Sequence, residues 1–493
     1  MGIIVRQSIQ NTLMSFLGVA LGFVTTIWLY PRILTPEQYG LTRVMLSLAM
    51  IMVQFMSLGI NNTIVRFFPY FRDPEHNHRG FLFFSLLVPA IGFIIFGSAA
   101  ILLEDFITQY FIEKSALLVD YYWYLLPLAF FLLFFHVLNN FLRALYDTVM
   151  GSFLIQVLTR FLAIILLVIH FLAWIDFQQF ILLFVLSYGA AWLIIFIYTL
   201  VQKGVSIQPD FSMIGRDMMR KIGNYGFFAF WGQIASIAVS NIDIIMLSWL
   251  AGLEQTGVYA IAFYVGSAIV ILSQSVYKIS APIISQAFKD EDYKLVESIY
   301  KRSSLNLIIG GGLIFCGIYA NLDNLMDILP PQYSGAYAVI LIIALAKLFD
   351  MATGLNGAII VNSKLYRFDL YSTLFLIIVT VTLNYLLIPD YGVVGAAIGT
   401  ATSVFLYNAL KVVYVWVKLN MQPFHLKLAI VVLIAFLTLI IDAAIPKLGT
   451  TYLDILLRSA AVTILFITPI YLMALSKELN QLIEKTFSVI FRT

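Results

Sequence analysis

Long apolar stretches alternate with short polar ones along the whole chain. About fourteen reach membrane-spanning length, at 8–31, 41–64, 80–103, 119–142, 149–171, 178–201, 224–250, 257–283, 304–321, 335–360, 370–388, 393–417, 427–445 and 455–475. A hydrocarbon core of ~30 Å needs ~20 apolar residues in an α-helix. Barrel strands are excluded, since these alternate in period two over ~10 residues. The pattern predicts an all-α polytopic membrane protein with about 14 transmembrane helices.

One turn is written twice. "RILTPEQYGLTRV" at 32–44 and "WLAGLEQTGVYAI" at 249–261 share Glu-Gln-x-Gly, with Glu37 and Glu254 217 residues apart. The same offset lays "FRDPE" at 71–75 onto "FKDED" at 288–292 without a gap. The offset contains six spans, an even number, so the copies enter the membrane in one orientation and form parallel repeats. The expected organisation is an N-lobe at 1–201, a basic cytoplasmic linker at 202–222 and a C-lobe at 223–420. Two extra helices and a cytoplasmic tail fill 421–493. The linker reads as a short interfacial helix. The segment "SQAFKDEDYKLVESIYKRSS" reads as a cytoplasmic helix with Glu297 placed to pair Lys301.

Polar residues recur at helical spacing in the first two spans of each repeat. Arg43, Ser47, Gln54, Ser57 and Asn61 form a stripe on span 2, and Gln233, Ser236, Ser240 and Asp243 one on span 7. Span 8 offers Ser267, Gln274 and Lys278, and span 1 offers Gln7, Asn11, Ser15, Gly18, Gly22 and Thr25. Lipid would leave such groups unsatisfied, so they are expected to face protein or water. Small and weakly polar residues also glue helices together, and "GVALG" at 18–22 is a packing site first. Arg160 and Lys347 are the deepest cations, and Asp350 lies one turn from Lys347. A charge at the helix centre is expensive, so such residues mark substrate paths or buried ion pairs. The candidate substrate-binding set is Arg43, Gln54, Asn61, Arg160, Gln274, Lys278 and Lys347. Asp243 and Asp350 are the candidates for a coupling ion, H+ or Na+. Lys278, Lys411, Arg143 and Arg66 lie near cytoplasmic ends, where they can also snorkel. His136, Asn140 and Arg143 share one face of span 4, and no Cys or acidic ligand joins the histidine to suggest a metal.

Composition agrees with the spans: 61% hydrophobic, 11% charged and a mean hydropathy of +0.95, against roughly 25% charged in soluble domains. Of 29 Lys plus Arg, only Arg32, Arg43, Lys114, Lys447 and Arg458 fall in the outer half of this topology. The positive-inside rule therefore puts both termini in the cytoplasm. The first apolar run meets "LYPR" instead of a small-residue cleavage site, so it is expected to stay. Cys316 is the one cysteine, which excludes disulfides and Cys-based redox or metal sites. No Gly-rich Lys-Ser/Thr phosphate loop is present, so the chain is not expected to hydrolyse nucleotide, and no cofactor is called for. Short loops argue against an integral glycosyltransferase, and nothing points to nucleic acid.

"GFVTTIWLYPRILTPEQYGL", "NIDIIMLSWLAGLEQTGVYAIAFY" and "NYLLIPDYGVVGAAIGTATS" resemble segments of oligosaccharide flippases (Wzx-like) in the multidrug/oligosaccharidyl-lipid/polysaccharide exporter superfamily. The resemblance covers nearly the whole chain. It implies a V-shaped pair of six-helix lobes that carries polyprenyl-diphosphate-linked oligosaccharide repeat units from the cytoplasmic to the outer leaflet by alternating access. It further implies a bacterial inner membrane, contact with membrane lipid, a polysaccharide polymerase and glycosyltransferases as partners, and a place for the polyprenyl tail near spans 13 and 14. The alternatives are a cation-coupled multidrug or small-molecule antiporter and a lipid II flippase. Multidrug members often carry a carboxylate in the first span, and lipid II flippases an Arg-Asp there. This chain reads "FVTTIW" and has neither.

Overall fold

The computed structural model describes residues 3–201, 203, 205–210 and 215–490, without the side chains of 3–6, 8, 9, 235, 236, 238 and 486–490. Ser236 of the span 7 stripe and part of the expected linker thus lie outside the described residues. Regular structure among the described residues is helical throughout. Among the described residues, eleven helices are long and apolar enough to cross a membrane, or up to 13 when each of two bent pairs counts as one span.

The difference from about fourteen lies at Arg367–Leu419, a run of 53 helical residues. A straight helix of that length would extend about 80 Å, more than twice the hydrocarbon core. Gly392 breaks it with φ 54° and ψ −129°. A Cβ on Gly395 would stand 2.2 Å from the Leu387 carbonyl, and one on Gly399 2.4 Å from Asn384 Oδ1. Residues eight and fifteen positions apart meet only if the chain doubles back, so Pro389 to Gly392 is the bend of a helical hairpin. Division there adds one membrane-length stretch to either count.

Three local expectations change. Helix Pro36–Ser57 opens on a capping box between Thr35 and Gln38, with Pro36 in its first turn. It stops at Leu58 and Gly59, both left-handed, and Ile60–Phe71 starts anew. Asn61 therefore does not continue the Arg43 stripe along one helix. The expected cytoplasmic helix is broken by a turn at 290–292: its residues continue Ile271–Lys289 and open Tyr293–Ala320, and in the latter the expected pair forms, with Lys301 Nζ 2.6 Å from Glu297 Oε1. The basic residues Arg216 and Arg220 open the long helix Arg216–Leu250 instead of forming a separate interfacial one.

Contacts divide the chain into two compact units, Met1–Gly257 and Val258–Thr493. In the first, helix 36–57 is central and packs against Phe81–Leu102, Leu125–Ala144 and Arg216–Leu250. Phe68, Phe71, Phe81, Phe135 and Phe141 fill the core beside it. The repeated turn meets its copy here. A Cβ on Gly40 would lie 2.0 Å from the Leu253 carbonyl, and one on Gly257 2.0 Å from the Pro36 carbonyl. The contact is reciprocal at the 217-residue offset, as a two-fold pairing requires, and only glycine lets the two backbones touch. In the second unit, Tyr293–Ala320 packs against Ala336–Ala352, Leu426–Ala443 and Thr451–Leu472. Arg458 joins the last two helices, with Nε 3.0 Å from Asp454 and Nη1 3.1 Å from Asp442, all three buried.

Candidate functional site

The first unit gathers two guanidinium groups. A π-helical turn at Val24–Leu29 precedes Tyr30, whose ring lies 4.8 Å from that of Tyr39. Arg43 stacks over both, 5.6 Å from Tyr30 and 4.8 Å from Tyr39. A second π-helical turn, Leu154–Leu158, ends two residues before Arg160. Such wide turns frequently mark functional sites. Tyr188, on Phe177–Val201, interacts electrostatically with both Arg43 and Arg160. Arg43 Nε and Arg160 Nη1 are buried donors with no hydrogen-bond partner, and Gln54 Oε1 and His136 Nε2 are acceptor-capable atoms in the same condition. No carboxylate pairs with either arginine among the described residues. Buried polar atoms left without a partner at membrane depth are costly. Asn61 is tied instead to span 4: Asn140 Nδ2 donates to its Oδ1 at 3.2 Å, and Arg143 donates to Asn140 at 3.2 Å. Asp243 is buried on helix 216–250.

The second unit holds a cavity of about 440 Å3 whose polar lining is Gln274, Tyr277, Lys278, Asp350 and Asn356, set among apolar Leu307, Met351, Leu355 and Ala358. It sits where helix 336–352 gives way to Asn356–Asn362 at a 49° bend, with Gly354 left-handed at φ 64°. Irregular backbone at membrane depth persists only where protein or a hydrated cavity satisfies it. Here Thr353 Oγ1 donates to Asn408 Oδ1 at 3.2 Å, and Asn408 Nδ2 donates to Asp350 Oδ1 at 2.8 Å. Gln274, Lys278 and Asp350 are thus brought together. Lys347 is not with them: its ammonium lies over the Phe263 ring at 5.6 Å, and no Lys347–Asp350 ion pair forms.

Several roles read from sequence shift. The polar start of span 1 serves packing: Gln7 Nε2 donates to the Tyr146 carbonyl at 2.5 Å and Asn11 Nδ2 to Thr148 Oγ1 at 2.6 Å. Lys411 does not snorkel but is buried against Asp369 at 3.1 Å and Tyr407. The Arg458 cluster was not singled out in the sequence, although Asp454 and Arg458 stand at i, i+4. Outside the spans, Lys203 reaches Asp147 at 2.7 Å. Burial alone would raise the Asp147 carboxyl, but the hydrogen bonds from Lys203 and Tyr198 hold it below the usual carboxylate range. Among the described residues no group of three or more His, Cys, Asp or Glu could hold a metal ion.

The fold is that of a polytopic helical membrane protein with polar side chains in its interior. The fold matches the lipid II flippase MurJ in an inward closed conformation, with TM-score 0.73 at 11% identity over 95% of this chain and 100% of that one. It also matches an inward-facing multidrug resistance MATE family transporter of the MOP superfamily, with TM-score 0.65 at 16% identity over 85% and 98%. The chain belongs to the polysaccharide biosynthesis protein family, whose model matches residues 4–288. An uncharacterized membrane protein of Methanocaldococcus jannaschii is 21% identical over 86% of both chains. The "Probable low-salt glycan biosynthesis flippase Agl15" of Haloferax volcanii is 25% identical over 37% of this chain and 39% of its own length. The "Probable flippase AglR" of the same organism is 24% identical over 42% and 44%.

Proposed function

We propose that this multi-pass membrane protein is a flippase for lipid-linked oligosaccharides, moving polyprenyl-diphosphate-linked repeat units from the cytoplasmic to the outer leaflet for surface-glycan assembly. Family membership supports the class, and the carboxylate-free arginines Arg43 and Arg160, each with one buried donor left unpartnered, are the observation that carries the substrate. A lipid diphosphate brings negative charge into a low-dielectric interior, where positioned guanidinium groups make charge-assisted bonds to its oxygens. Gln54, Asn61, Gln274, Lys278 and Lys347 are the other proposed contacts to the lipid-linked glycan. Alternating access between the repeat-defined lobes at 1–201 and 223–420 provides the movement. A coupling proton or sodium ion would use Asp243 or Asp350. The chain sits in the cytoplasmic membrane, a bacterial inner membrane in the reading from sequence, with both termini inside. Glycosyltransferases supply its substrate and a polymerase consumes its product.

The direct test is a deletion strain. Lipid-linked glycan should accumulate on the cytoplasmic side, identified by mass spectrometry, and reappear outside when the gene is restored. Normal surface glycan in the deletion, with lost resistance to toxic cations instead, would move the protein to the drug-exporter class.

A further inference from the structure

The cavity at the bend of helix 336–362 holds charges of both signs and keeps them apart. Lys278 and Asp350 both line it, yet no ion pair joins them. Among the described residues the side-chain polar ends of Gln274, Tyr277 and Lys278 make no hydrogen bond, and all three residues are exposed. They stand at i, i+3 and i+4 on helix 271–289, so one face presents them together. Across the cavity, Asn356 Nδ2 donates to Thr353 Oγ1 at 3.1 Å and to Asn408 Oδ1 at 3.2 Å. Asn408 in turn holds Asp350 Oδ1 at 2.8 Å. This network fixes the carboxylate and the amide, and leaves Asp350 Oδ2 and Asn356 Oδ1 as acceptors.

The lining selects a chemical class. A phosphate would meet the repelling carboxylate of Asp350. A bare cation would share the space with the Lys278 ammonium. An apolar molecule would strand the carboxylate and both amides, whose desolvation it could not compensate. A sugar suits all of them, because every hydroxyl both donates and accepts and its apolar ring face can lie on Tyr277. The volume of about 440 Å3 is that of a small-ligand site.

We propose that this cavity is the glycan subsite, in which Asp350, Asn356, Gln274 and Lys278 hydrogen-bond sugar hydroxyls of the lipid-linked glycan. Resting on the flippase reading, this assignment gives Asp350 to sugar recognition instead of ion coupling.

The test compares two ligands on the full-length protein in nanodiscs: the glycolipid that accumulates in the deletion strain, and polyprenyl diphosphate without sugar. The readout is the ratio of their dissociation constants, taken in sodium and in potassium buffer. The wild type should prefer the glycolipid. Gln274→Ala and Asp350→Asn should each shrink the preference, and together reduce it about tenfold, the size expected for two lost hydrogen bonds. Unchanged size-exclusion profiles identify folded variants, and Gln274 is exposed enough that its truncation leaves packing intact. A ratio near one in the wild type, or one that both variants leave untouched, overturns the subsite while the flippase reading stands. If Asp350→Asn abolishes a sodium-dependent gain in the binding of both lipids alike, Asp350 is an ion site and the proposal falls. Failure of the wild type to bind either lipid removes the flippase reading itself.

Discussion

Arg43 and Arg160 show how much a single position carries. Both present buried donors that no described residue satisfies, and both follow a π-helical turn in the neighbouring segment or their own. Replacing Arg160 by Ala should reduce glycan export at least tenfold at unchanged protein level, since a charge-assisted hydrogen bond contributes roughly 1.5–3 kcal/mol. Arg160→Lys should recover part of it, because charge survives but the planar fork does not. Full export by Arg43→Ala and Arg160→Ala together would remove these cations from the path. Asp147 makes a different prediction. Its carboxyl is held below the ordinary range by Lys203 and Tyr198, so in the folded state it binds a proton less readily than in the unfolded one. The resulting stability is present above the ordinary carboxylate value of about 4 and lost as pH falls through the lower folded value. Thermal melts of purified protein should therefore show a smaller acid-side drop in Tm for Asp147→Asn than for wild type.

Among the helices, the crossings decide what the chain tolerates. Gly40 and Gly257 let two helix starts touch backbone to backbone, and a Cβ at either position would lie 2.0 Å from a carbonyl oxygen. Gly40→Ala should destabilise by at least ~1–3 kcal/mol through overpacking. Gly223, in helix 216–250, has nothing within 4 Å of a built Cβ. Gly223→Ala should therefore be neutral or stabilising by about 0.5–1 kcal/mol, the ordinary gain of Ala over Gly in a helix. Melting temperatures of the two variants in one detergent decide the matter, and equal shifts would show that the crossing is looser than its geometry. The buried Arg458 with Asp442 and Asp454 acts at the same scale, locking the last two spans to each other.

For the whole molecule, duplication across an even number of spans predicts sidedness. Glu75 and Asp292 occupy equivalent places after the repeated Phe-cation-Asp turn, so both should face the cytoplasm. Cys316, the one native cysteine, is buried and leaves a quiet background for labelling. Glu75→Cys and Asp292→Cys should react with a membrane-impermeant maleimide only in inside-out vesicles, and Glu113→Cys only in intact cells. Labelling of positions 75 and 292 from opposite sides would contradict parallel repeats.

Sequence by itself determined the solvent of this protein, since apolar runs of membrane length leave no soluble alternative, and the recurrence of Glu-Gln-x-Gly and Phe-cation-Asp in one register is its basis for expecting a repeat. It also placed Gln274, Lys278 and Asp350 on the right helices, because helical spacing is a local property. It could not place the breaks at Leu58–Gly59 and near Gly354, which depend on what packs against the unwound backbone. The Lys347–Asp350 spacing suited an ion pair along one helix, and only the tertiary structure turned Lys347 to Phe263 and Asp350 to Asn408. The same holds for Lys411, legible as a snorkelling cation until Asp369 on the other arm of the hairpin buried it. Periodicity fixes which face a residue occupies. What meets that face comes from chain dozens of residues away, and the burial energy that selects it exists only once the helices have docked.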